Sequence, residues 1–436
     1  MNDIARNSSV AIEAISVHVP FHSLGLHDYA AATGHDPEKF LTGLGCQRMA
    51  ICHPTQDSVT MGAEAGEILL ERWKIDPGDI GMLIVATESG VDWAKPIAVY
   101  IHQMLGIGHA CRIFDVQHAC FGASAALATC VAWIRSGLNG GKKAMVIATD
   151  IARYEVGSAG EPTQGAGAVA MVVGEGRSGV FYPDFSAQAI HARNVMDFWR
   201  PGFSSSAVVN GKYSIDCYLH ALKETYVHYR RNGGASYRDL KYILFHLPFP
   251  RMGWKALQTV AETEAQLGGE AVSEEEAAAI YEEKVMPGSL GAREIGNVYC
   301  ASLYLALASL LETQKDRASG EKVGMFSYGS GSCAEFFTGT IGGISEIWEG
   351  KIGLLSGLAR RAPVDYETYL ELREHAGRLG ENDSFRIGSV PMGRTLPPDA
   401  HHLFLGYRNM KRIYIPGPAA RVCVSRKIRT DALPPV

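Results

Sequence analysis

The chain has 436 residues, of which 47% are hydrophobic and 20% charged, with a formal net charge of −5 at neutral pH. That composition excludes a disordered chain and calls for more than one small core, and its mild acidity offers no footprint for nucleic acid. No basic-then-apolar leader opens the sequence, no apolar run reaches membrane-spanning length unbroken, and the nine cysteines form no CxxC pair, so a cytoplasmic protein without disulfides or zinc is expected.

Taken in chain order, apolar runs alternate with helical patterns, which signals α/β layering. "DIGMLIVATES" (79–89) predicts a buried strand that ends at Glu88, and "KPIAVYIHQMLGI" (95–107) a helix. "ACRIFDVQ" (110–117) predicts another strand. "CFGASAALATCVAWIRSG" (120–137), small and apolar all round, predicts a buried helix. "KKAMVIATD" (142–150) and "GAGAVAMVVGEG" (165–176) predict two more strands.

The second half repeats this order. "DLKYILFHLPF" (239–249) parallels the first strand, "GNVYCASLYLALASLLE" (296–312) the Cys120 helix, and "KVGMFSYGSGSCAEFFTG" (322–339) the paired strands. The expectation is an internally duplicated α/β fold with halves at 1–176 and 177–345 and a C-terminal extension over 346–436. In such a fold the strand ends and helix starts converge, bringing together Glu88, Cys120, His246, Asn297 and the Ser330 turn. Segments 261–284 and 363–378 are polar and helix-prone, and the last sixty residues predict strands. The basic clusters "ARRAP" (359–363) and "RNMKR" (408–412) read as solvated surface.

Three residues could carry chemistry. Cys120 is either a small buried hydrophobe or a thiol activated by the positive end of its helix, with "FGASAA" leaving room for a ligand. Cys111, Cys130, Cys217, Cys300 and Cys333 lack that combination and read as packing. Glu88 is either a structural cap or a partly buried acid suited to proton transfer, and His246 either a satisfied core imidazole or a functional one. The glycine-rich segments "SAGEPTQGAGA" (158–168) and "SYGSGS" (327–332) lack a phosphate-loop ending and read as tight turns whose N–H groups could polarise a thioester carbonyl. His401 and His402 have no ligand-like spacing, so no metal is expected.

In the order "VATESGVDWAK" (85–95), "HACFGASAAL" (118–127), "ATDIARY" (148–154), "GEPTQGAGAVAM" (160–171), "MDFWRP" (196–201), "FHLPFPRMGWKAL" (245–257), "GNVYCASLYLALASLL" (296–311) and "FSYGSGSCAEFFTG" (326–339), the chain resembles the hydroxymethylglutaryl-CoA synthases of the thiolase superfamily. The resemblance covers about residues 10 to 340 and implies a thiolase-like fold of α-β-α-β-α layers. It implies that Cys120 accepts an acetyl group, Glu88 is the general acid/base and His246 orients the acceptor. Asp150, Tyr154, Thr163, Asp197, Asn297, Tyr328 and Ser330 match supporting positions, and Arg251 and Lys255 are candidates for a carrier phosphate. No cofactor is implied; the substrates would be acetyl and 3-ketoacyl thioesters of CoA or of phosphopantetheinyl acyl-carrier protein, and the assembly a homodimer.

Two departures bear on the carrier. Where synthases of the mevalonate route have paired lysines, this chain has Trp254 before Lys255, with Arg251 keeping one charge. "KVMPGSLGAREIGN" (284–297) and the C-terminal part look more like relatives that install β-branches on polyketides using acyl-carrier-protein thioesters, whereas "SAGEPTQGAGA" is close to the mevalonate enzymes. The reading favoured is polyketide β-branching, with acetyl-CoA and acetoacetyl-CoA condensation as the alternative. A ketoacyl synthase or thiolase would use the same cysteine but another His/Asn pattern, and a carrier-binding scaffold would not need all three catalytic positions filled.

Overall fold

The computed structural model describes residues 10–176, 178–201, 204, 206–378, 398, 400–408 and 411–416. Buried apolar runs form the strands Val10–His18, Ile80–Ala86, Arg112–Val116, Lys143–Ile151 and Ala166–Glu175. Strands such as Lys143–Ile151 are buried along nearly their whole length, as expected where both faces of a sheet are covered. From the edge inward the order is Arg112–Val116, Ile80–Ala86, Lys143–Ile151, Ala166–Glu175, Val10–His18. The first three run parallel, and the next two pairings are antiparallel.

The second half builds the same order from Tyr242–Phe245, Lys322–Gly329, Cys333–Ile341 and Phe181–Ala192. Its pairings, parallel, antiparallel, antiparallel, repeat those of the first half from Ile80–Ala86 inward, and Arg112–Val116 has no counterpart among the described strands. A pairing of Ile12 with Phe181 joins the two sets into one nine-stranded sheet. The internal duplication expected from the sequence is therefore present at the level of strand order and direction.

Alternation along the strands divides the core into layers. One face, with Ile84, Val146 and Met171 from the first half and Leu244, Val323 and Met325 from the second, packs on the helices Gly122–Arg135 and Ser302–Gln314. The opposite face of the first half, with Leu83, Val85 and Ile147, packs on Ser58–Trp73 and Ile97–Met104. In the second half, Ile243, Phe245 and Phe326 pack on Gly211–Arg231 and Met252–Gln266. The result is the layered thiolase-like arrangement, with two central helices between sheet layers.

The elements are shorter than the sequence runs that announced them. The strand expected over 79–89 stops at Ala86, which leaves Glu88 in the loop beyond it, and the helix expected over 296–312 begins at Ser302 after a turn at Tyr299–Ala301. The C-terminal strands expected in the last sixty residues are seen as a hairpin, His402–Arg408 with Lys411–Pro416; "SFRIGSVPMGRT" lies outside the described residues. The two basic clusters are not merely solvated. Arg361 is nearly buried and pairs with Glu294 at 2.9 Å, while Arg412 reaches Asp57 at 2.7 Å and stacks over Phe404.

Candidate active site

Each of the suspected residues follows the C-terminal end of a strand. Glu88 lies two residues after Ile80–Ala86, Cys120 four after Arg112–Val116, and His246 directly after Tyr242–Phe245. Parallel neighbours place such ends side by side, which is where open α/β sheets assemble their sites.

Asp150, near the end of Lys143–Ile151 and fully buried, organises the Glu88 loop. Its Oδ1 accepts the Thr87 hydroxyl at 2.9 Å and the backbone N–H groups of Glu88 and Ser89 at 2.9 and 3.0 Å. Its Oδ2 accepts the Cys300 N–H at 3.0 Å, from the second half of the chain. One carboxylate thus ties both halves to the Glu88 turn. Glu88 itself is buried, and its Oε1 has no hydrogen-bond partner among the described residues. Burial pushes both carboxyls up; the bonds received by Asp150 oppose its rise, and Glu88 has nothing comparable. The negative charge of Asp150 raises Glu88 further, only partly offset by Arg200, so Glu88 holds the proton of this pair.

Cys120 follows Ala119, whose φ of 36° is the left-handed conformation that a non-glycine residue adopts at a cost. The helix starts at Gly122 with Phe121 as its N-cap, so Cys120 stands just outside the first turn rather than in it. The thiolate expected from the helix dipole is not what the surroundings favour. Burial, then the carboxyls of Glu88, Asp150 and Asp197, push the thiol well above its ordinary range, and it rests protonated. The same turn recurs in the second half: Tyr299 has φ 44°, and Cys300 follows it ahead of Ser302–Gln314. Cys300, read from sequence as packing, donates its thiol to the Ala119 carbonyl at 2.6 Å and so supports the Cys120 turn directly.

His246 is buried, and burial pushes it down to about 3, so it is a neutral imidazole; its Nδ1 has no described partner. The backbone N–H of His246 donates to the Phe326 carbonyl at 2.8 Å, and its backbone carbonyl accepts the Tyr218 hydroxyl at 2.9 Å. Tyr218 stacks edge-on against Tyr328 at 5.1 Å, and the Tyr328 hydroxyl donates to Asp197 at 2.6 Å. Asp197 also accepts the Gly331 N–H at 2.9 Å, which fixes the turn that carries Ser330. Gly329, at the end of its strand, lies against Phe121: a Cβ there would sit 2.6 Å from the Phe121 Cβ and 2.7 Å from its nitrogen. Only glycine lets the strand end approach the cysteine turn so closely.

The opposite wall joins the halves. Asn297 donates its N–H to the Thr163 carbonyl at 2.9 Å, and its Oδ1 accepts the Tyr299 N–H and the Ser302 hydroxyl at 3.0 and 3.1 Å. Tyr154 packs in a small buried cluster with Tyr299, against Cys120. Gly165 and Gly296 cross at this seam, where a Cβ on Gly296 would lie 2.2 Å from the Gln164 carbonyl oxygen.

The structure therefore brings Glu88, Cys120, Asp150, Tyr154, Asn297 and Tyr328 to one region, with His246 joined to it through Tyr218 and Tyr328. Arg251 and Lys255 stand apart, exposed at the start of Met252–Gln266, with Arg251 over the Trp254 ring at 5.4 Å. Thr87, Ser89, Tyr218 and Tyr299 contribute to the site without having been singled out in the sequence. Among the described residues no group of three or more His, Cys, Asp and Glu side chains is placed to hold a metal ion; His401 and His402 instead meet Glu67 at 3.0 and 2.6 Å.

The family model for the hydroxymethylglutaryl-coenzyme A synthase N terminus matches residues 6–177, and that for its C terminus matches 181–276 and 258–384. The chain belongs to the hydroxymethylglutaryl-CoA synthase family. Members of this family are acyl-transferring enzymes that form a carbon–carbon bond, and this synthase is one of them. It is 37% identical to the hydroxymethylglutaryl-CoA synthase of Enterococcus faecalis over 376 residues, 86% of this chain and 92% of that one. It is 32% identical to the polyketide biosynthesis 3-hydroxy-3-methylglutaryl-ACP synthase of Bacillus subtilis (strain 168), covering 85% of this chain and 89% of the other. Among solved structures, MvaS in complex with 3-hydroxy-3-methylglutaryl coenzyme A superposes with a TM-score of 0.85 at 36% identity, covering 94% of this synthase and 99% of that chain. The HMG synthase of the curacin biosynthetic pathway in complex with acetyl donor-ACP gives 0.85 at 29%, covering 93% and 99%.

Proposed function

We propose that the synthase condenses an acetyl group held on Cys120 with the β-carbonyl of a 3-ketoacyl thioester, and that acyl-carrier proteins deliver these groups in polyketide β-branching. The observation that carries the chemistry is the presence, at adjoining strand ends, of a protonated thiol and a buried carboxyl whose Oε1 has no partner among the described residues.

In the first step the Cys120 sulfur attacks the acetyl thioester; the carrier leaves as a thiol with the proton that Cys120 gives up, so no net charge is created in the buried site. Glu88, after giving its own proton to solvent, removes a methyl proton from acetyl-Cys120. Its raised pKa makes it a stronger base than an ordinary carboxylate. The enolate carbon bonds to the β-carbon of the acceptor, whose carbonyl oxygen takes a hydrogen bond from the neutral His246 ring. Glu88 returns its proton to the resulting alkoxide. Water then cleaves the Cys120 thioester: one of its protons restores the thiol, the other returns to Glu88, and the product leaves as a carboxylate. With the Gly331 N–H held by Asp197, the Ser330 backbone N–H of the same turn is the donor suited to hold the enolate oxygen.

Support for carrier-protein delivery is the Trp254–Lys255 sequence after His246, where a lysine pair would be expected for CoA, together with the 32% identity to the Bacillus subtilis enzyme. Acetyl-CoA and acetoacetyl-CoA are the second reading, favoured by the 37% identity to the Enterococcus faecalis synthase. Radiolabelled acetyl transfer to the wild type but not to Cys120→Ala tests the nucleophile. Turnover of acetoacetyl-carrier protein against acetoacetyl-CoA tests the carrier, and clearly faster turnover of the CoA ester would overturn it.

A further inference from the structure

A cavity of about 690 Å³ opens on Glu88 from the side of the first half. Its wall runs from Thr87 to Pro96 and includes Gln117, Arg153 and Arg200, with Arg412 of the C-terminal hairpin at one edge. Cys120, His246, Arg251 and Lys255 do not line it, so it is not the approach on which the carrier-phosphate candidates stand.

Its size decides what it could hold. At roughly 30 Å³ for a water-sized group, the space takes on the order of 20 of them, within the ~300–1,000 Å³ range of small-molecule sites. An acetoacetyl acceptor places a single methyl group beyond its β-carbonyl and would leave nearly all of this space unused. The thioester end of any acceptor leads back to its carrier, so a chain extending beyond the β-carbon must leave the reacting centre by another route. Glu88 belongs both to that centre and to this wall.

The chemistry of the wall is polar. Arg412 is already paired with Asp57 at 2.7 Å, but Arg153 and Arg200 form no ion pair or side-chain hydrogen bond with the described residues. Two guanidinium groups that spend no side-chain hydrogen bond on the described residues, though Arg200 feels Glu88 and Arg153 feels Asp57, suit carbonyl and hydroxyl oxygens, which accept their N–H groups. Gly90 leaves part of the space open: a Cβ built there meets only the Asp92 carbonyl oxygen, at 3.9 Å.

We infer that this cavity receives the portion of the acceptor chain beyond the β-carbonyl, and that Arg153 and Arg200 select an oxygenated chain over a short or purely hydrocarbon one. The inference rests on the condensing reaction proposed above and names its acceptor class.

The test uses the acetyl-loaded full-length enzyme and pantetheine thioesters, which remove the carrier protein as a variable. Three acceptors are compared by kcat/KM: 3-oxobutanoyl, a longer 3-oxoacyl chain ending in a hydroxyl group, and the same chain without the hydroxyl. The wild type is expected to favour the hydroxylated chain over 3-oxobutanoyl by about tenfold or more. Gly90→Phe, which fills the cavity, should cut the long-to-short ratio by about tenfold, and Arg153→Met should erase the preference for the hydroxylated chain over its deoxy analogue. Equal kcat/KM for long and short chains in the wild type, or a ratio unmoved by Gly90→Phe in a variant that melts like wild type, overturns the inference and leaves the condensing reaction standing. Acetylated enzyme that turns over none of the three acceptors overturns the condensing reaction itself, and the inference with it.

Discussion

Replacing Asp150 by Asn removes one negative charge and alters few other contacts. The carboxylate accepts four hydrogen bonds, three on Oδ1 and one on Oδ2. An Asn side chain has one carbonyl oxygen. Turned toward Thr87, Glu88 and Ser89, it keeps three bonds in weaker, uncharged form, while its NH₂ group faces the Cys300 N–H, donor against donor. A buried donor left without an acceptor costs about 1–3 kcal/mol, and exchanging charged for neutral acceptors costs about another 1 kcal/mol per bond, offset in part because an ionised group is no longer buried. Asp150→Asn is therefore expected to lose about 2–4 kcal/mol in urea unfolding. The lost charge also acts on Glu88, whose carboxyl is raised partly by Asp150. Its pKa falls in the variant, so the acidic limb of the condensation rate moves to lower pH; the Cys120 thiol, raised in part by the same carboxyl, also falls, so the pH dependence of acetylation moves in the same direction. Wild-type stability together with an unmoved acidic limb would refute the reasoning.

Three further outcomes follow from the same structure. Glu88 keeps its proton in the folded state and loses it in the unfolded state above the ordinary glutamate range, so it destabilises the fold as pH rises through that window; Glu88→Gln should melt higher than wild type at pH 8 and close to it at pH 4. His22, His53 and His246 are pushed down to about 4, 3 and 3 by burial, so the unfolded state binds protons below 6.5 that the folded state refuses. Stability should fall by roughly 2 kcal/mol per histidine on going from neutral pH to pH 5, which urea midpoints at the two pH values will show, and His53→Gln should flatten the dependence. Gly296→Ala places a Cβ 2.2 Å from the Gln164 carbonyl oxygen at φ 88°, and an expected loss of about 3 kcal/mol or more can be read by thermal melting.

The fold was legible in the sequence wherever an element was long and apolar. The runs around Ile84, Val146 and Leu244 announced strands, and the small, apolar run after Cys120 announced a buried helix. Where those elements end was less legible, because chain ends are fixed by tertiary partners: the strand before Glu88 stops where Asp150, 62 residues away, collects the loop's N–H groups. Of the site, Glu88, Cys120 and His246 could be picked out as candidates from their positions at element ends, each with a structural alternative, and only the family resemblance gave them roles. The protonation of Cys120 could not, since it depends on carboxyls brought from Glu88, Asp150 and Asp197. The part played by Cys300 was hidden for a similar reason. Its turn adopts a left-handed conformation at Tyr299, a residue type that gives no local sign of one.

The seam between Gln164–Gly165 and Gly296–Asn297 has a consequence for the order in which the molecule becomes competent. Backbone touches backbone there with no side chain between, so the two halves dock at a single separation. While the seam is open, Asp150 lacks the Cys300 N–H and Cys120 lacks the cover that desolvates it, so closing the seam is what completes the desolvation that holds the proton on the thiol.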